Sequence, residues 1–236
     1  MRMKKQAFHK GISLSSTLGI LPGLTAVVGS GGKTTLMLRL AQELCRQGSV
    51  IITTSTHIYP PEGIPLVTGG RDEIEAALSE HALVCAGTFA ETGKLSAPVL
   101  AFHELAQLAN YVLVEADGSR RLPLKAHAAH EPNIPGGARV IAVVGASGFN
   151  KPIGEAAHRP ELYARALGAD INALVTPEMA AQAAKAHFPG GTIVLNQVDD
   201  GETLHLAARF AQSYGGGTVI AAALREPHAV KAIWRE

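Results

Sequence analysis

Short apolar runs without polar alternation, separated by segments of helical period, constrain the fold of this chain most. The runs are Thr25–Val28, Val50–Thr54, Ala82–Cys85, Tyr111–Glu115, Val140–Val144, Ala173–Thr176, Thr192–Asn196 and Thr218–Ala221. A strand that is apolar on both sides must be covered on both sides, which places it inside a sheet sandwiched by helices. Helical patterns fall between the runs at Thr34–Arg46, Arg71–Ser79, Pro160–Leu167, Pro177–Ala186 and Glu202–Ser213. This alternation predicts an α/β fold built on a doubly wound, mostly parallel sheet. Two stretches break the rhythm. Phe89–Pro98 reads as a small hairpin, and Arg120–Gly137 is rich in proline, histidine and basic residues. With no internal repeat or long linker, the 236 residues are expected to form one domain, 1–236.

Charge and cysteine usage narrow the partners. Lys and Arg number 21 against 20 Asp and Glu, for a net charge of +1, so no overall field recruits nucleic acid or an anionic membrane. The basic start Met1-Arg2-Met3-Lys4-Lys5 is not followed by an apolar stretch long enough for a signal sequence, and no run reaches membrane-spanning length. Cys45 and Cys85 lack metal-ligand spacing and read as reduced thiols. A cytoplasmic location is expected, with neither nucleic acid nor membrane as partner.

The most specific chemical signal follows the first run. Thr25-Ala26-Val27-Val28 leads into Gly29-Ser30-Gly31-Gly32-Lys33-Thr34-Thr35, where a helix begins. Strand, glycine-rich turn and helix are the context of a phosphate-binding loop (P-loop). Glycines let backbone N–H groups converge, and the helix N-terminus adds unpaired donors and a positive dipole. Lys33 is expected to bridge β- and γ-phosphate oxygens, with Thr34 offering its hydroxyl to Mg²⁺. Val27 stands where the longer GxxxxGK[ST] form has its first glycine, and the shorter Gly-x-x-Gly-Lys-Thr-Thr resembles the loop of Mur-type ATP-dependent ligases. A nucleoside triphosphate, ATP or GTP, with Mg²⁺ is the expected ligand, and the P-loop NTPase type the expected fold.

Two further strand ends supply polar groups to the same crevice, where doubly wound sheets bind ligands. Val50–Thr54 runs into Ser55-Thr56-His57, and Thr54 or Thr56 is a candidate for the metal shell. Tyr111–Val114 delivers Glu115 and Asp117, two apart and therefore on one side of an extended strand. Both are candidate metal and catalytic acids, together with Lys33, and which of the two touches the ion is open.

The stretch Glu115-Ala116-Asp117-Gly118-Ser119-Arg120-Arg121-Leu122-Pro123-Leu124-Lys125-Ala126, continuing to His130-Glu131-Pro132-Asn133-Ile134-Pro135, is more specific than an acidic strand end. With the glycine-rich loop, Thr53–His57, Val144–Glu161 and Leu195-Asn196-Gln197-Val198-Asp199, it resembles the YqeC family. That resemblance implies a nucleotide-binding accessory protein in the maturation of selenium-dependent molybdenum hydroxylases. A hydroxylase or cofactor-maturation protein is the implied partner.

Arg120, Arg121 and Lys125, with His127 and His130, crowd the loop after the acidic strand and suit an anionic second substrate. His158-Arg159, just before a helix, is a weaker candidate for the same crevice. Asn196 and Asp199 resemble the base-reading Asn-Lys-x-Asp of GTPases, with Gln197 in the lysine position, and are candidate nucleotide contacts. Three readings stay open: an NTP-hydrolysing accessory protein, an ATP-dependent ligase or kinase acting on a small anion, and a non-hydrolysing nucleotide switch.

Overall fold

A computed structural model describes residues 3–7, 11–91 and 93–236. Met1 and Arg2 of the basic start, and Thr92 of the expected hairpin, lie outside them. The chain runs through β1 (Lys4–Gln6), α1 (Leu14–Leu18), β2 (Gly23–Gly29), α2 (Lys33–Leu44), β3 (Val50–Thr54), β4 (Leu66–Val67), α3 (Arg71–Glu80) and β5 (Leu83–Ala86). A small hairpin follows, β6 (Thr88–Phe89) with β7 (Leu95–Ser96), then α4 (Phe102–Leu108), β8 (Tyr111–Glu115), β9 (Leu124–Lys125) and β10 (Arg139–Gly145). The remainder is α5 (Ile153–Ala156), β11 (Ala157–His158), α6 (Pro160–Leu167), α7 (Pro177–His187), β12 (Thr192–Asn196), α8 (Gly201–Tyr214), β13 (Thr218–Ala222) and β14 (Val230–Arg235).

Ten strands form one sheet in the order β1-β14-β13-β12-β10-β2-β8-β3-β5-β4. From β13 to β4 the pairings are parallel; β14 runs antiparallel to both β13 and β1. The doubly wound, mostly parallel α/β sheet expected from the runs is therefore present. Residues on β2 alternate between its two faces. Ala26 and Val28 join the core beneath α6, α7 and α8, while Val27 packs with Leu36, Met37 and Leu40 of α2 on the other side. On β8, Leu113 joins that second core, and Val112 and Val114 pack with Ile74 of α3 and Leu105 of α4. All of these side chains are buried. Trimming a buried leucine such as Leu36 or Leu40 to alanine is expected to cost about 2–5 kcal/mol.

Helix starts follow from local chemistry. Thr176 caps α7 by accepting the Met179 N–H, with Pro177 fixing the first helical residue. Asp200 and Thr203 cap α8 reciprocally: Asp200 Oδ1 accepts the Thr203 N–H at 2.8 Å and Thr203 Oγ1 accepts the Asp200 N–H at 3.2 Å.

One expected strand is absent. Ala173–Thr176 makes a single bridge, between Leu174 and Pro152, because β10 pairs directly with β12 and leaves no slot between them. The run instead leads into α7. Strand β14, missed in the sequence, has its apolar residues interrupted by Lys231 and closed by Arg235 in Val230-Lys231-Ala232-Ile233-Trp234-Arg235, a weaker signature than a longer continuous run.

The topology fixes where a ligand can sit. From β2 the chain crosses through α2 to β3, on one side; after β8 it crosses to β10, on the other. Connections diverge at the carboxyl end of β2, the switch point at which open α/β sheets form their crevice.

Candidate functional site

At that switch point β2 ends and the chain turns through Ser30, Gly31 and Gly32 into α2. Gly31 and Gly32 have φ of 88° and 134°, outside the range comfortable for other residues. A Cβ on Gly31 would stand 2.5 Å from Gly145 Cα, and one on Gly32 would stand 2.3 Å from Asn196 Nδ2. The loop is thus pressed against β10 and β12 by backbone that only glycine permits. Gly32, at the N-cap of α2, provides no side-chain cap. The first-turn N–H groups of α2, which begins at Lys33, have no acceptor within the helix and point out of its positive end.

The side chains at the head of α2 face the acidic end of β8. Lys33 is buried, and its Nζ donates to Gly29 O at 2.8 Å and Ser119 Oγ at 3.0 Å. The same ammonium lies 3.0 Å from Asp117 Oδ1 and 3.8 Å from Glu115 Oε1. Thr34 Oγ1 donates to Glu115 Oε2 at 3.0 Å. Glu115 and Asp117 do project to one side, as their spacing requires, but their environments differ. Burial pushes the Glu115 carboxyl above its usual range, against the pull of Lys33 and the Thr34 hydrogen bond. Asp117 is fully enclosed, and burial alone would raise it. The His127 hydrogen bond, Lys33, Lys125 and the Gly29 N–H more than offset that and hold its carboxyl down to about 2. Its Oδ2 accepts the Gly29 N–H at 2.8 Å and lies 2.8 Å from His127 Nε2 and 3.1 Å from Lys125 Nζ. Its Oδ1 has the Lys33 ammonium nearby but no aligned hydrogen-bond donor among the described residues, so it is an acceptor in reserve.

The other candidates sort themselves by contact. Thr54 Oγ1 donates to Glu115 O at 2.9 Å and accepts the Thr56 N–H at 2.9 Å, so it braces the acidic strand. Ser30 bonds Leu122 O, and its N–H reaches Val143 O at 2.9 Å, anchoring the loop to both neighbours. Asn196 Nδ2 donates to Gly31 O at 2.7 Å, and its Oδ1 accepts the Leu224 N–H at 3.1 Å. It therefore ties the glycine loop to the segment after β13. Asp199 is exposed on the rim. Gln197, at φ 64°, accepts from Ser147 Oγ at 2.7 Å.

The basic loop divides. Lys125 is buried, 2.7 Å from Glu131 Oε2 as well as 3.1 Å from Asp117, and donates to Gly118 O. It is an internal ion-pair partner in this arrangement, whereas Arg120 and Arg121 are exposed. Glu131, which the sequence did not single out, receives both Lys125 and a two-pronged contact from Arg159, at 2.6 and 2.9 Å. The Arg159 hydrogen bonds and the Lys125 charge hold its carboxyl down to about 2. His127, too, takes a more central place than its sequence context suggests. The available signal was the alternation Lys125-x-His127 in the loop after the acidic strand, which sends both side chains to one side.

A cleft of about 560 Å³ opens over the loop. Gly31–Thr35, Glu115, Ser119 and Arg121 line one wall; Asn196, Gln197, Asp199, Thr203, Leu224 and Arg225 line the other. Its volume is that of a small-molecule site. For Mg²⁺ the fitting features in the cleft are two hard oxygen donors, the Thr34 hydroxyl and the Glu115 carboxyl group beside it; Asp117 lies enclosed behind them, paired with Lys33. Among the described residues no group of three or more His, Cys, Asp and Glu forms a metal site by itself, and no helix is long and apolar enough to cross a membrane.

The fold and site define an α/β protein with a glycine-built loop, a buried lysine and the strand-end acid Glu115 lining one cleft, and a second acid, Asp117, enclosed behind them. A sequence profile of the family described as YqeC protein matches residues 25–161, and the chain belongs to that family. It is 40% identical over 133 residues to a protein of Escherichia coli (strain K12) described as "Uncharacterized protein YqeC". The aligned stretch covers 52% of this chain and 52% of that relative, so the match spans about half the length of each. No solved structure matches the chain.

Proposed function

We propose that the cleft binds a nucleoside triphosphate with Mg²⁺ and hydrolyses it, as a P-loop NTPase. The observation that carries this reading is the placement of Lys33 and Thr34, at the head of α2, directly against Glu115 and Asp117 of the neighbouring strand. The N–H groups of the turn and of the first helical residues bind the phosphates, and Lys33 turns from Asp117 toward the β- and γ-oxygens. Asp117 stays matched when it does so, because Lys125 and His127 remain beside it. Thr34, with Glu115 or Asp117, holds the metal, which when bound neutralises charge on the β,γ-phosphates. Glu115, whose pKa is raised by burial, orients water and accepts its proton. Asn196 keeps the loop in register, and Asp199, which lines the cleft, is the residue we assign to reading the base.

The setting comes from the resemblance seen in the sequence: maturation of selenium-dependent molybdenum hydroxylases in the cytoplasm, with a hydroxylase or cofactor-maturation protein as partner. Phosphate release from ATP and from GTP, with Mg²⁺ and with chelator, tests the activity. The proposal expects metal-dependent release that falls at least tenfold in Glu115→Gln. Release at the same rate in chelator, or in the variant, would contradict it.

A further inference from the structure

Arg120 and Arg121 are consecutive non-glycine residues in left-handed backbone, with φ of 48° and 61°. Each such residue costs about 1 kcal/mol or more, so the turn is held by its surroundings. The turn divides two cavities. Arg121 lines the cleft over the glycine loop, while Arg120 lines a second cavity of about 560 Å³ on its other side. Arg120, His158, Arg159 and Arg165 face that second space, with Pro160 and Leu162.

We propose that this second cavity binds a small molecule bearing a phosphate group, as the co-substrate of the nucleotide cleft. The inference rests on the nucleotide reading only for the word co-substrate; the binding site itself does not.

Several features favour an oxyanion. Arg120 and Arg165 are both exposed and cationic, and Glu161 is the acid beside them. Arg159 is positioned by its two-pronged contact with Glu131. Among the described residues its hydrogen bonds reach Glu131 and Ala126 O, leaving Nε–H and one Nη2–H for another acceptor. His158 feels the same charge: burial first, then Arg159, Lys125 and Arg120, lower its pKa. Three guanidinium groups around one space suit a tetrahedral oxyanion, which accepts from several directions, better than a planar carboxylate, which one fork already satisfies. The cavity exceeds a bare phosphate in volume, and Pro160 and Leu162 offer apolar surface to the body of an ester.

The site is also wired to the first. Arg159 pairs with Glu131, Glu131 with Lys125 at 2.7 Å, Lys125 with Asp117 at 3.1 Å, and Asp117 with Lys33 at 3.0 Å. An anion drawing on Arg159 loosens its hold on Glu131, and the shift passes along buried charges to the lysine of the glycine loop.

The test follows the His158 ring by NMR in the full chain, titrated with inorganic phosphate against chloride at equal ionic strength. Phosphate is expected to move the His158 signals and raise its titration midpoint, in wild type and in Lys33→Met alike. The double variant Arg120→Gln and Arg165→Gln, both at exposed positions, should weaken that response at least tenfold while keeping the wild-type melting temperature. A His158 ring that ignores phosphate, or a double variant that responds as wild type does, would overturn the proposal. Triphosphate affinity unchanged in Lys33→Met would instead count against the nucleotide reading and leave this site standing.

Discussion

Lys33 Nζ stands 3.0 Å from Asp117 Oδ1, and the two side chains are only 2% and 0% exposed. The lysine at the head of the helix is thus already neutralised by the acid at the end of the adjacent strand. Under the proposed function a phosphate would have to draw it away. Lys125 and His127 also contact Asp117, so its buried charge would keep partners without Lys33.

Stability should carry the imprint of these acids. The Asp117 pKa falls from 3.8 to about 2 on folding, so its contribution is present above pH 4 and disappears as pH drops through about 2. By linkage that contribution is about 2 kcal/mol. Glu115 has the opposite sign. Its raised carboxyl binds the proton more tightly when folded, so stability declines as pH rises from 4.5 through its raised value. Urea midpoints between pH 2.5 and 7 check both: Glu115→Gln should remove the decline, and Asp117→Asn should flatten the acid limb. Asp117→Asn should also cost about 3–5 kcal/mol at neutral pH, since it strips the shared counter-ion from buried cations. Wild-type curves in both variants would mean the two carboxyls are unperturbed.

Thr34 donates to Glu115 at 3.0 Å, which places a hydroxyl beside a carboxylate at the mouth of the loop. Thr34→Val should lower triphosphate affinity at least tenfold with Mg²⁺ present and hardly at all with chelator. Equal losses under both conditions would assign Thr34 to the phosphates or to the fold.

Asn196 and Asp199 are three residues apart yet do different work. Asn196 joins Gly31 O to the Leu224 N–H, so Asn196→Ala should weaken ATP and GTP equally, by about 1–2 kcal/mol from lost buried hydrogen bonds. Asp199 touches the cleft only at its rim, and Asp199→Ala should alter the ratio of GTP to ATP affinity without altering their sum of loop contacts. Competition binding with both nucleotides separates the two. A wild type with no preference would make Asp199 a surface residue.

Much of the fold was legible because buried parallel strands advertise themselves as unbroken apolar runs. Val50–Thr54 and Tyr111–Glu115 match their strands end to end. Ala173–Thr176 shows where that signal fails: an equally apolar run became the lead-in to a helix, since the sheet had already closed between β10 and β12. The loop Gly29–Thr35 and the acids Glu115 and Asp117 could be placed together because each lies at the carboxyl end of a strand. The loop from Ser119 to Glu131 could not be read that way. Composition marked Lys125 as one basic residue among several, and only the fold reveals it 2.7 Å from Glu131 in the interior. Partnerships between residues distant in sequence, such as Arg159 with Glu131, depend on how β9 and β11 pair, which no local pattern encodes.

The most direct test of the central claim is calorimetric titration of ATP and GTP, with Mg²⁺, into wild type and Lys33→Met. Methionine keeps much of the apolar stem of the buried side chain and removes only the ammonium, and Asp117 keeps Lys125 and His127, so the variant should remain folded. Micromolar binding of at least one triphosphate by wild type, weakened a hundredfold or more in the variant, is the predicted result. A wild type that binds neither, or a folded variant that binds as tightly as wild type, would contradict the assignment of this loop to a triphosphate.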